Sequence, residues 1–216
     1  QGQPNEPADI GEAWGIYRDR TQDTDRSVTP IDEVEAWLTA RDNRFEEIED
    51  ATRALSELLT ETQPLSRRAN AEGLYDDKLG AFIEDFVNAQ SEIETAAGRK
   101  RAIRMLRDYA IGAVILPMEE FAPEARRLSF DIEGLAEKFS AEVDIVCHRL
   151  TALPTASDTP KFGYMRSNAA GTIIEMLGID GLNVPRYAAA CPLWVLYRAQ
   201  QSPETVIRQR TVFPSG

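Results

Sequence analysis

What the chain lacks narrows its chemistry before any pattern is read. Two cysteines, Cys147 and Cys191, occur in 216 residues. That is too few for a disulfide framework and points to a reducing, cytoplasmic setting. Two thiols also cannot supply the four thiolates of a common iron–sulfur cluster, so no cofactor is expected and both read as small buried residues. Histidine is scarcer still, with His148 alone. A His-Glu-x-x-His zinc site needs two histidines on one helix face and is excluded within this chain. A Ser-His-Asp or Cys-His site would have to be built on His148, and Cys147 beside it points elsewhere if the segment is helical. Neither GxGxxG nor GxxxxGK[ST] occurs, so these phosphate-cradling loops are missing. The longest apolar run, Ala110–Met118, falls short of the roughly 18 residues that span a bilayer and is interrupted by Pro117. The opening QGQPNEP has neither a basic start nor an apolar stretch and does not read as a signal peptide. These absences favour a sensor or interaction domain over an enzyme, with no membrane partner and no metal.

Positive charge is in short supply in one half. Residues 1–100 hold 11 Lys and Arg against 23 Asp and Glu, whereas residues 101–216 hold 13 of each, so the net charge of −12 sits wholly in the first half. Binding to a phosphate backbone rests on basic neutralisation. DNA binding by this chain alone is therefore not expected, and an anionic ligand belongs in the second half.

The pattern that is present reads as α+β, mostly α. Residues 1–28 are polar and read as a linker or tag remnant. Residues 29–153 read as a helical region, followed by a small α/β region, 154–216, in one sensor unit with it. Thr29 as cap, Pro30 at the first helical position, and Asp32 and Glu33 at the positive end of the dipole predict a helix start. From there Ile31, Val34, Leu38, Phe45, Ile48, Leu55 and Leu59 follow a near-heptad spacing, interrupted at Arg41 and Thr52. The stripe predicts either amphipathic helices covering a core or a dimer-forming helix. In the second case the partner is a second copy, and Phe45 and Ile48 lie at the homodimer contact. Further helices are predicted at 75–97, with Gly98 as terminator, and at 101–116, stopped by Pro117. Others are predicted at 118–128, 131–139 and 141–151, with Asp131 and Ser140 as caps for the last two. After Pro160 the period changes. Phe162, Tyr164 and Arg166 alternate with Gly163, Met165 and Ser167. Ile173 and Ile174 lie beyond a turn-like Asn168–Gly171, which reads as a β-hairpin. Ser202-Pro203-Glu204 reads as another helix start, and Thr211–Phe213 as a closing strand.

Asp131–Leu153 has the apolar spacing of a helix-turn-helix, through Ala136, the break near Ser140, Val143, Val146 and Leu150. Its second helix, however, would offer DNA only His148 and Arg149, against the acids Glu142 and Asp144. A packed helical pair is the better reading.

Tyr109–Met118 (YAIGAVILPM), Phe121, Phe130–Glu133 (FDIE), Val146–Leu150 (VCHRL) and Cys191–Trp194 (CPLW) together resemble the ligand-binding region of bacterial short-chain fatty acyl transcriptional regulators. Phe162 to Arg166, Gly171 and Arg186 agree more weakly. Ile174-Glu175-Met176 and Ala189-Ala190 depart from the family pattern. The 101–117 helix also resembles one in IrrE/ImmA-type zinc peptidases. Leu106 stands where those enzymes carry a zinc-binding glutamate, which implies a scaffold without peptidase activity. The resemblance implies a cytoplasmic ligand-sensing domain of a transcriptional regulator, with short-chain acyl-CoA as ligand. DNA would then be contacted only through a separate helix-turn-helix domain. It further implies Arg166 and Arg186 as phosphate contacts, while Tyr164 and Trp194 are candidates for the acyl pocket wall. The alternative is a structural or dimerisation domain with no small-molecule ligand.

Overall fold

In the computed structural model, which describes residues 29–56, 67–156, 159–167 and 173–179, the first helix begins where its caps put it. Helix α1 (Pro30–Thr39) opens on a capping box. The Thr29 hydroxyl accepts from the Asp32 backbone N–H, and the Asp32 carboxylate accepts from the Thr29 N–H. The apolar stripe then breaks at the first of its two interruptions, near Arg41. After Ala40 the chain turns through Asp42 and Asn43, both left-handed at φ 50° and 53°, and the Asn43 N–H closes on the Leu38 carbonyl at 2.9 Å. Asp and Asn tolerate this conformation better than other side chains that carry a Cβ. The turn folds α2 (Glu46–Ser56) back, so that Phe45 meets Trp37 at 5.1 Å between ring centroids. Phe45 is 2% exposed and Ile48 is fully buried within the single chain. This corrects the dimer-contact expectation for these two side chains: they are monomer core.

Helix α3 (Arg67–Leu74) runs through one wide π turn, Tyr75–Leu79, into α4 (Gly80–Asn88). The predicted 75–97 helix therefore stops early, and Gly98 does not end it. Instead α5 (Ala96–Ile115) starts at a Thr95 cap, whose hydroxyl accepts from the Gly98 N–H at 2.9 Å. The Glu33 carboxylate accepts from the Thr95 N–H and hydroxyl as well as from the Glu94 N–H, so α1 helps to hold the start of α5. A Cβ on Gly98 would lie 2.2 Å from Glu33 Oε2, which is why no side chain stands there.

Helix α5 is the axis of the fold. From Ala110 to Leu116 every residue is buried, and α1, α2, α3, α4 and α8 pack on it. A helical stretch that is apolar all round, as this second half of α5 is, belongs in the centre of a domain. Leu106 is fully buried there. Past Pro117 come α6 (Met118–Arg127), α7 (Ile132–Phe139) and α8 (Val143–Thr151). Ser140 serves α7 rather than α8. It closes α7 in the left-handed region at φ 49°, and Glu142 occupies the N-cap position of α8. α7 and α8 pack together, and α8 buries Ile145, Val146, Arg149 and Leu150. Arg149 is 1% exposed, so it has no route to a phosphate backbone.

The hairpin forms as predicted. β1 (Tyr164–Ser167) pairs antiparallel with β2 (Ile173–Leu177), Arg166 opposite Glu175, with a bulge after Arg166. β2 turns Ile173, Glu175 and Leu177 inward and leaves Ile174 exposed. The hairpin rests on the helices through α1 and α8. Arg101 of α5 donates to the Ile174 carbonyl at 3.4 Å, and the Asn43 amide donates to the Gly178 carbonyl at 2.8 Å. The observed arrangement is a mostly helical α+β fold, and no helix among the described residues is long and apolar enough to cross a bilayer. The expected segments at 202–204 and 211–213 lie outside the described residues.

Candidate functional site

A cavity of about 80 Å³ opens where α3, α5 and α8 meet the hairpin. Helix spacing explains its wall. Asp108 and Gly112 lie one turn apart on α5, and Asp144, Ile145, His148 and Arg149 fall on successive turns of α8. Tyr164 and Arg166, two apart on β1, share a strand face, and Glu175 comes from the inward face of β2. Arg68 of α3 completes the rim.

Beneath the cavity lies a buried ion pair. Arg149 donates to both Glu49 oxygens, at 2.7 and 3.1 Å, and its Nε donates to the Leu116 carbonyl at 3.0 Å. The Tyr109 hydroxyl also donates to Glu49 and accepts from the Phe45 N–H at 3.3 Å. Burial alone would raise the Glu49 carboxyl. The Arg149 charge and hydrogen bonds, with that of Tyr109, outweigh burial and hold it below the usual carboxylate range.

The wall is chemically mixed. Arg166 Nη2 contacts Glu175 Oε2 at 2.7 Å, so the guanidinium expected to meet a ligand phosphate is already engaged, although 58% of its side chain is exposed. Arg68 is likewise shared among Glu72, Glu142 and Asp144. His148 Nε2 is buried with no hydrogen-bond partner among the described residues, and Glu175 Oε1 stands 3.7 Å away. The imidazole packs edge-on against Tyr164, centroids 4.4 Å apart. Burial lowers His148 below the ordinary histidine range, outweighing the nearby carboxylates Glu175, Asp108 and Asp144. Burial raises Asp108 and pushes the Tyr164 phenol up to about 12. The wall thus favours neutral forms at His148 and Asp108.

Of the residues singled out from sequence, the structure brings Tyr164 and Arg166 together on this wall. Arg186, Trp194 and Cys191 lie outside the described residues. Lys161, just before β1, pairs with Asp42 at 2.9 Å and does not line this wall. Burial pushes the Cys147 thiol up to about 11, which makes it a poor nucleophile. Sequence reasoning missed Glu175 and Asp108 and did not place His148 on a cavity. A signal for Glu175 was present: a carboxylate at the inward register between Ile173 and Leu177.

With the geometry in view, comparisons with known proteins bear out the resemblance. Residues 154–216, which include the hairpin, match the family model for the short-chain fatty acyl coenzyme A regulator, C-terminal. The propionyl-CoA carboxylase regulator of Cereibacter sphaeroides is 35% identical over 128 residues, covering 58% of this chain and 28% of that protein. The HTH-type transcriptional regulator PrpR of Mycobacterium tuberculosis is 34% identical over 137 residues, covering 62% and 28%. The chain thus spans little more than a quarter of these relatives. A solved structure of a Mycobacterium tuberculosis transcriptional regulator superposes with a TM-score of 0.71 at 21% identity, covering 84% of this chain and 70% of that one. That likeness shows a shared fold.

Proposed function

We propose, from the match of residues 154–216 to the short-chain fatty acyl coenzyme A regulator domain, that this chain is the ligand-sensing part of a transcriptional regulator responding to a short-chain acyl-CoA. The observation that carries the reading is the cavity closed by the hairpin of that same segment. One side of it is apolar, through Ile111, Gly112 and Ile145, and the other carries hydrogen-bonding groups, as a small acyl head requires. Tyr164 lines the acyl end, with Trp194 as a second wall residue. Arg166 and Arg186 meet the phosphates, Arg166 through the exposed part of a side chain whose Nη2 stays on Glu175.

DNA reading belongs to a part of the regulator outside these 216 residues. The burial of Arg149 and the acidity of residues 1–100 support that division. The test is thermal unfolding with acetyl-, propionyl- and butyryl-CoA. A ligand at 100 times its Kd stabilises a fold by about 2.7 kcal/mol. A melting temperature unmoved by all three at millimolar concentration would overturn the reading.

A further inference from the structure

We infer that His148 is the residue that distinguishes an acylated ligand from a bare one, accepting a neutral acyl thioester into the cavity and excluding the free acid. The inference rests on the acyl-CoA reading and adds the group that reads the thioester. Three observations on the page carry it.

The first is a buried hydrogen-bonding atom without a partner among the described residues, His148 Nε2. That is a costly arrangement for a polar atom unless something else fills the role. Glu175 is the nearest candidate, but Arg166 holds it at 2.7 Å and leaves it 3.7 Å from the ring. The edge-on contact with Tyr164 holds the imidazole in place. As the Nε2–H tautomer, it donates one hydrogen bond to a carbonyl oxygen entering the cavity.

The second is size. About 80 Å³ holds several water-sized positions, room enough for an acetyl or propionyl group with its carbonyl. Gly112 contributes to that room. A Cβ there would stand 3.4 Å from Arg149 Cδ and 3.7 Å from Ile145 Cγ2, occupying space without a clash.

The third is charge. Asp108, Asp144 and Glu175 surround the ring, and the cations beside them are already paired: Arg166 with Glu175, Arg68 with Asp144 and two further acids, and Arg107 at 4.0 Å from Asp108. A free carboxylate entering here meets no unpaired cation among the described wall residues and adds a negative charge where burial already disfavours ionisation of Asp108. A thioester carries no such charge.

The experiment titrates the 216-residue chain calorimetrically with propionyl-CoA, CoA and sodium propionate, in wild type, H148A and H148Q. His148 is the chain's only histidine, so its ring NMR signals report this one position. Wild type should bind propionyl-CoA roughly tenfold more tightly than CoA, the worth of one hydrogen bond. It should not bind propionate. In H148A the two CoA affinities should converge, and H148Q, which keeps a donor, should restore part of the preference. The ring signals should move with propionyl-CoA and stay with CoA. An undiminished acyl preference in both folded variants, or ring signals that propionyl-CoA leaves unmoved, would overturn this inference while the acyl-CoA reading stands. If wild type binds neither CoA compound, the acyl-CoA reading fails and this inference falls with it.

Discussion

Arg149 and Glu49, 100 residues apart in the chain, form a two-pronged ion pair at 2.7 and 3.1 Å with only 1% and 8% of their side chains exposed. The pair ties α8, on the cavity wall, to α2, in the acidic half of the chain. Neither partner can be removed cheaply, because the other is then left as a buried charge. We expect Glu49→Gln and Arg149→Met each to destabilise the fold by about 3–5 kcal/mol, a melting temperature lower by roughly 6–20 °C. The double variant Glu49→Leu/Arg149→Met should recover most of that loss. Urea unfolding of the four proteins checks it; singles within 1 kcal/mol of wild type would contradict the account.

The start of α5 offers a test in which two principles predict opposite signs. Alanine normally improves a helix by about 1 kcal/mol over glycine. At Gly98 its Cβ would meet Glu33 and the Thr95 hydroxyl, and displace the carboxylate that joins α1 to α5. We expect Gly98→Ala to lower stability by about 1–2 kcal/mol, and Thr95→Ala to do the same through loss of the cap. A rise in melting temperature for Gly98→Ala would show that the Glu33 contact counts for little.

His148 makes stability depend on pH in a defined direction. Burial lowers its folded pKa below the reference 6.5, so the folded protein holds fewer protons there than the unfolded chain. Stability is therefore intact above about pH 6.5 and falls as pH drops from there through the folded pKa. The change isolates to His148 by comparison with His148→Gln: wild type should lose ground to the variant between pH 8 and pH 5. NMR titration of the ring adds a second reading. Arg166→Ala should raise the His148 pKa by removing a nearby cation, and Glu175→Gln should lower it further. Opposite movements would mean that the cluster is not assembled as described.

Local signals were legible in the sequence and long-range ones were not. The Thr29 capping box, the stop at Pro117 and the alternation through Tyr164 and Arg166 act over a few residues, and each produced the expected element. The seam through Phe45 and Ile48 misled because two left-handed residues, Asp42 and Asn43, fold one apolar stripe back on itself. A heptad count carries no information about such a turn. Gly98 read as a terminator because its partner, Glu33, lies 65 residues earlier. The cavity was half legible. Tyr164 and Arg166 were singled out, but the approach of Asp108, His148 and Glu175 depends on three separate elements meeting. Nothing in the spacing of any one of them encodes that meeting.

The central claim is that this chain senses a short-chain acyl-CoA, and isothermal titration with propionyl-CoA tests it most directly. The account predicts saturable binding of one ligand per chain, weakened by Tyr164→Ala and absent for propionate alone. Heats no larger than dilution at millimolar propionyl-CoA, from a chain that still unfolds cooperatively, would contradict it.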